Sequence, residues 1–228
     1  TAWKLVQSGH KVTLVERRPF LGGRAYSFVD RQTKVEIDNG QHVFLGCCTA
    51  YAGFLKDMGS IDLTFRQPRL RVEIRSPGGT RGILNGLPLP APLHLVPSFL
   101  RYPHLSWSDK LRAIPALLAI WQERNRERPA LRSISLRDWL KNHWQSDRAI
   151  QNFWNLIVLP TLNDATENVS ASSGFMVFQE ALLRNSHGGA VGFARAGLSD
   201  IAGRNVEETL RQAGVNLLLG RTVERLDI

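Results

Sequence analysis

The spacing of apolar positions changes along the chain, and the changes mark its elements. Residues 2–8 follow helical spacing, Gly9 closes that helix, and 11–15 (KVTLV) forms a short apolar run that ends at Glu16. Helix, tight turn and buried strand make half of a βαβ unit, the building block of a parallel sheet. A second short strand is predicted at 35–37, followed by a helix over 48–58 with Tyr51, Phe54 and Leu55 on one face. The runs 71–75 and 81–84 flank Ser-Pro-Gly-Gly, a hairpin signal.

The middle of the chain reads differently. Residues 87–103 mix prolines with Leu, Val and Phe, which predicts an extended, apolar, loop-rich stretch. Ser106 followed by Asp109 is a capping-box start for an amphipathic helix running to about 124, with Pro115 as a kink. Ser135 and Asp138 repeat that start, and 149–159 and 171–184 read as two more helices separated by the polar segment 163–170. After Gly188-Gly189 the order helix, turn, strand returns at 201–212, 215–219 and 222–228. This return predicts that the chain re-enters its first sheet. Thr1 is not an initiator residue, the chain opens inside a helix, and its last strand has no partner; the pattern reads as a fragment truncated at both ends.

Composition narrows the function classes. With 228 residues, 43% of them apolar, the chain has material for a substantial core. A net charge of +9, from 29 Lys and Arg against 20 Asp and Glu, favours anionic partners. The cations are scattered through amphipathic segments and no nucleic-acid motif accompanies them, so nucleic acid is not expected as a partner. Cys47 and Cys48 are adjacent and the six histidines lack ligand spacing; neither a disulfide framework nor a metal site is expected. No apolar run is long enough to span a bilayer, and a cytoplasmic or peripheral location is the default.

Three short segments carry chemistry. Glu16 stands at the carboxyl end of a predicted parallel strand, where dinucleotide-binding folds place an acid for the adenosine ribose; the plain alternative is a surface Glu at a strand end. Gly22-Gly23-Arg24 sets two residues without Cβ before a guanidinium, suited to a pyrophosphate or to an ordinary turn. Asp38-Asn39-Gly40-Gln41-His42 offers a backbone that can lie flat against a planar ring, and a histidine that either moves protons or sits on a surface turn. Together they point to FAD.

ERRPFLGGRAYSF, IDNGQHVFLGCCTAY, LPLPAPLHL and FWNLIVLPTLND together resemble the FAD-dependent amine oxidase and phytoene desaturase superfamily. Within it, the segment DNGQHVFLGCCTAY looks most like the bacterial hydroxysqualene dehydroxylases, also described as squalene-associated FAD-dependent desaturases. The resemblance implies an α/β fold, with an incomplete Rossmann-like FAD-binding domain in two segments (1–50 and 196–228) and an inserted, mostly helical substrate-binding and membrane-facing part (51–195). It assigns Glu16 to the ribose, Gly22, Gly23 and Arg24 to the pyrophosphate, Val223 to the adenine, and Gly40, Gln41 and His42 to the vicinity of the isoalloxazine. The family's phosphate loop and a flavin-contacting segment fall outside the sequence.

The implied reaction is reductive dehydroxylation of hydroxysqualene to squalene for hopanoid synthesis, with His42 and Asp164 as the candidate proton donors. For Asp164 the alternative is a cap or loop acid. Carotenoid or phytoene desaturation is the nearest rival, and a non-catalytic prenyl-lipid binder of the same fold is the rival of another class. Leu89, Leu93, Val96, Leu100, Trp107, Leu111 and Trp121, edged by Arg101, Lys110 and Arg112, suit either contact with an anionic membrane, peripherally on a bacterial inner membrane, or an ordinary substrate-domain core with solvated charges.

Overall fold

The computed structural model describes residues 1–225. In chain order it begins with α1 (Ala2–Gln7), β1 (Thr13–Glu16), β2 (Ser27–Val29), β3 (Glu36–Asp38), β4 (Val43–Leu45), α2 (Thr49–Asp57), β5 (Thr64–Arg66), β6 (Arg71–Arg75) and β7 (Arg81–Asn85). A helical stretch follows, with α3 (Val96–Arg101), α4 (Trp107–Gln122), α5 (Pro129–Ser133), α6 (Leu136–Asn142), α7 (Asp147–Ala149), α8 (Asn155–Leu162) and α9 (Ala171–Phe178). The described part ends with β8 (Val191–Ala194), α10 (Asn205–Gln212) and β9 (Asn216–Leu219). Contacts divide the chain into two units, one of residues 1–44, 48–66 and 192 onward, the other of 45–47 and 67–191.

In the first unit, β1 pairs in parallel with β9, Thr13 opposite Asn216 and Glu16 opposite Leu219. The chain therefore does re-enter its first sheet. Parallel strands need a crossover, and α10 supplies the apolar face beside it: Val206 and Leu210 pack with Val215, Leu217, Leu21 and Met58, and Leu14 and Val6 lie against that cluster. The strand starts two residues later than the apolar run and is half-buried, because Leu14 faces the cluster while Val15 stays exposed. Residues 221–225 have no regular structure, so the strand expected from 222 is absent there; the rest of it lies outside the described residues.

Two smaller sheets complete this unit. Antiparallel β2 and β3 place Ser27 opposite Asp38, and a three-stranded sheet has the order β4-β8-β5, with Phe65 across from Phe193. The pattern did not reveal β4, β5 or β8. Runs of three or four residues are too short for alternation to register.

The second unit opens with the expected hairpin, β6 and β7, running from Arg71 opposite Asn85 to Arg75 opposite Arg81. Its core gathers Tyr102, Leu136, Leu140, Ile150, Trp154, Phe175 and Phe178, all essentially inaccessible to solvent. Tyr102 donates to the Asn152 carbonyl at 3.0 Å, and burial pushes its phenol up to about 12. The stretch 87–103 is less extended than its prolines predict: 93–95 make a tight helical turn and α3 follows. Pro97 lies in the first turn of α3, where an N–H has no helical partner to lose, so a residue read as a breaker is a helix starter. The capping box forms: Ser106 Oγ accepts from the Asp109 amide at 3.1 Å and Asp109 Oδ2 from the Ser106 amide at 3.2 Å. The helices expected at 149–159 and 171–184 are present, each with a wider turn, at Ile150–Trp154 and Gln179–Leu183.

Candidate functional site

Glu16 ends β1, and its surroundings are built from the residues just after it. Its carboxylate Oε1 accepts from the Arg18 amide at 2.7 Å, and its carbonyl accepts from the Arg221 amide at 3.0 Å. Arg18 then turns inward. Its carbonyl accepts from the Gly220 amide, its Nη1 donates to the Gly23 carbonyl at 2.9 Å, and its guanidinium lies over the Phe20 and Tyr26 rings at 5.6 and 5.1 Å. The turn from Glu16 to Tyr26 is therefore wound around one cation. The sequence pattern did not single out Arg18, whose partners Gly23, Gly220, Phe20 and Tyr26 meet it only in the closed turn.

Within that turn the two glycines differ. Gly22 has φ +108°, and a Cβ there would stand 2.6 Å from the Ala25 carbonyl oxygen and 3.4 Å from that of Ala202. The turn itself, closed by the Ala25 amide on the Gly22 carbonyl at 2.9 Å, demands glycine. Gly23 has φ +58° and open space where a Cβ would project. Arg24 is exposed and makes no ion pair among the described residues, so its guanidinium is free to meet an anion.

The Asp38–His42 segment is tied to the same turn. The Asn39 amide donates to the Tyr26 carbonyl at 3.0 Å, and Asn39 Oδ1 accepts from the Tyr26 amide at 3.4 Å. Asp38 Oδ1 accepts from the Ser27 hydroxyl at 2.7 Å and the Leu198 amide at 2.9 Å, which gives this acid a structural task. Gly40, Gln41 and His42 are exposed, and His42 Nδ1 lies 2.8 Å from the Gly40 carbonyl. That contact sets Nδ1–H as donor and leaves Nε2 free. Val223 is exposed and outside any regular element.

Asp164 belongs to the second unit. Its Oδ1 accepts from the Asn168 side-chain amide and from the Ala165 amide, both at 2.8 Å, and these bonds hold the carboxyl below the usual carboxylate range. Asp164 caps its own loop in this structure.

The family model of the flavin containing amine oxidoreductases matches the chain over residues 1–228. The chain belongs to that family. Among curated proteins it is 32% identical over 192 residues to a zeta-carotene desaturase of Zea mays, covering 78% of this chain and 32% of that protein. It is 29% identical over 184 residues to a probable zeta-carotene desaturase of Synechococcus elongatus (77% and 38% covered), and 22% identical over 231 residues to a 15-cis-phytoene desaturase of Solanum lycopersicum (100% and 39%). The chain thus spans about a third of the length of these relatives. A solved putrescine oxidase superposes with a TM-score of 0.58 at 18% identity, covering 96% of this chain and 47% of that one, which shows a shared fold.

The cofactor of this flavin family is FAD, and the first unit fits one end of it. A carboxylate at the carboxyl end of a parallel strand, an open left-handed backbone at Gly23 and an unpaired Arg24 suit the ribose and pyrophosphate of a dinucleotide. Gly40 is open in the same sense: a methyl on its Cα would meet only the His42 ring, 3.8 Å away. Glycine at 22 answers to the turn and its packing on Ala202, whatever the ligand. The relatives are carotenoid desaturases, so they favour desaturation, the rival reading, over dehydroxylation of hydroxysqualene.

Proposed function

We propose that the protein is an FAD-dependent oxidoreductase of polyprenoid chains, and that its reaction is desaturation of a carotenoid-type polyene. The observation that carries the cofactor half is the parallel pairing of β1 with β9, which sets Glu16 at the sheet's carboxyl edge beside the glycine turn. Likeness to zeta-carotene and phytoene desaturases supports the substrate class. When bound, FAD supplies hydride exchange with carbon.

This chain's residues then have separate tasks. The Glu16 carboxylate accepts hydrogen bonds from the ribose hydroxyls, the backbone at Gly22 and Gly23 and the Arg24 guanidinium meet the pyrophosphate, and the Val223 backbone meets the adenine. Gly40 and Gln41 line the ring system. Desaturation removes a hydride from one carbon and a proton from its neighbour; the exposed Nε2 of His42 is the atom assigned to the proton.

A second reading, reductive dehydroxylation of hydroxysqualene, is favoured by the segment Asp38–Tyr51, whose DNGQHVFLGCCTAY resembles the squalene-forming branch. There the same histidine nitrogen would give a proton to the departing hydroxyl. One experiment separates the two. The flavin-loaded protein is offered zeta-carotene or phytoene with a quinone acceptor, and hydroxysqualene with pre-reduced flavin, and products are read by mass. Loss of two hydrogens per new double bond in the first arm is expected; squalene in the second arm alone would replace desaturation by dehydroxylation. Turnover in neither arm would overturn the polyprenoid reading.

A further inference from the structure

The exposed face of α4 carries a stripe that the fold leaves bare. Trp107, Leu111, Ile114, Leu118 and Trp121 follow each other at spacings of four and three, and all are exposed, Trp107 and Leu111 at 66% each. At 100° per residue they fall within an arc of about 80°, along about 21 Å of helix. The opposite face, Ala113, Ala116 and Ile120, is fully buried. The stripe is therefore a second apolar face, distinct from the one that holds the helix to its core.

Trp144 extends it. With Leu111, Arg112, Pro115 and Gln145 it lines a shallow open groove, and its indole is 73% exposed. It is held there at some cost: its φ is +55°, a left-handed backbone in which a bulky residue is uncommon. The neighbour Gln145 does the holding. Gln145 is buried, donates to the Arg112 and His143 carbonyls at 2.8 and 2.9 Å, and accepts from the Trp154 indole at 3.1 Å. Trp107 is fixed too, under the Lys110 ammonium at 4.6 Å, while that ammonium donates to the Leu100 carbonyl at 2.7 Å.

The segment that carries the stripe is basic. Between Gly86 and Gln122 the only acid is Asp109, which is buried and bonded to Ser106 and Ser146. Arg101 and Arg112 are exposed, and neither forms an ion pair among the described residues. No described helix is long and apolar enough to cross a membrane. A shallow apolar stripe with an indole near each end and unpaired guanidiniums beside it complements an anionic lipid surface, with rings at headgroup depth and cations on the phosphates.

We propose that α4 and Trp144 form a membrane-docking face that lies in the interface of an anionic bilayer. The claim concerns binding alone and stands whether or not the polyprenoid reading holds. The protein is mixed with phosphatidylcholine vesicles with or without 30% phosphatidylglycerol, and binding is read by co-sedimentation and by quenching of indole fluorescence with brominated acyl chains. Binding to the anionic vesicles with strong quenching is expected, and Leu111→Ser with Leu118→Ser should weaken it about tenfold or more, given the area these leucines would bury. Arg112→Glu and Trp144→Ser, both at solvent-exposed side chains, should each weaken it several-fold with an unchanged circular dichroism spectrum. They keep the test intact should the double variant misfold. Absence of vesicle binding, equal binding to neutral vesicles, or variants that bind like the parent would each overturn the proposal. Self-association abolished by the same variants would assign the face to a second copy instead.

Discussion

Arg18 is the residue on which the cofactor-side turn depends, through Gly23, Gly220 and two aromatic rings, and that dependence is testable. Arg18→Ala should lower FAD retention even though Arg18 has no assigned ligand contact, whereas Glu16→Gln should lower it about tenfold by weakening the ribose hydrogen bonds. Flavin absorbance after gel filtration reads both. Gly22→Ala should cost about 2 kcal/mol or more in urea unfolding, because both φ and the 2.6 Å approach to Ala25 forbid the methyl. His94 gives a pH signature. It is buried with Nδ1 unpartnered, and burial, with a smaller effect of the nearby His187, lowers its proton affinity below the ordinary 6.5. The unfolded chain then takes up that proton first, so stability is full above about pH 6.5 and falls as pH drops toward the folded-state value. A thermal-melt series from pH 8 to 5 should show this loss, and His94→Gln should flatten it. Glu16 and Gly22 to Arg24 were legible because strand-end acids and glycine turns are local features. Arg18 was hidden because its role consists of contacts that only the closed turn creates.

Among elements, α4 was read almost to the residue, since its caps are local. Ser106→Ala should lower stability by about 1 kcal/mol. Asp109→Ala should lower it further, because the same carboxylate also accepts from the Ser146 hydroxyl at 2.6 Å. Burial alone would raise that carboxyl, yet the hydroxyls of Ser106 and Ser146 and the Ser106 amide hold it below the usual range. The far end was not legible: Gln179, from α9's continuation, donates to the Ile120 and Glu123 carbonyls at 2.6 and 2.8 Å. Packing between α6 and α9 likewise appears only in three dimensions. A methyl on Gly174 would stand 2.5 Å from a Leu136 Cδ, so Gly174→Ala should destabilise by about 1–3 kcal/mol in a chemical melt.

For the whole molecule, the +9 charge acts beyond any one contact. Association with anionic vesicles should weaken steeply between about 50 and 300 mM salt, as screening shortens the reach of the basic surface, and co-sedimentation across that range measures it. A flat salt response would, like equal binding to neutral vesicles, overturn the anionic-surface proposal. Each unit has its own apolar cluster, one around Leu217 and Val206, the other around Trp154 and Phe178.

The linear pattern carried the α/β character, the hairpin at 71–85, the capped helix at 107 and the acid followed by a glycine turn, because caps, turns and periodicity act over a few residues. It also carried the flavin resemblance, although its choice of the squalene-forming branch was finer than the relatives support. Folding settled the rest. The return to helix, turn and strand after Gly189 had announced that the chain re-enters its first sheet, but the parallel register, Thr13 opposite Asn216, was set only when Leu217 and Val206 were buried together. Asp164 became a loop cap because its neighbours Ala165 and Asn168 supplied donors. The same helix that reads as merely amphipathic acquired a bare second face only when its alanine side was taken into the core.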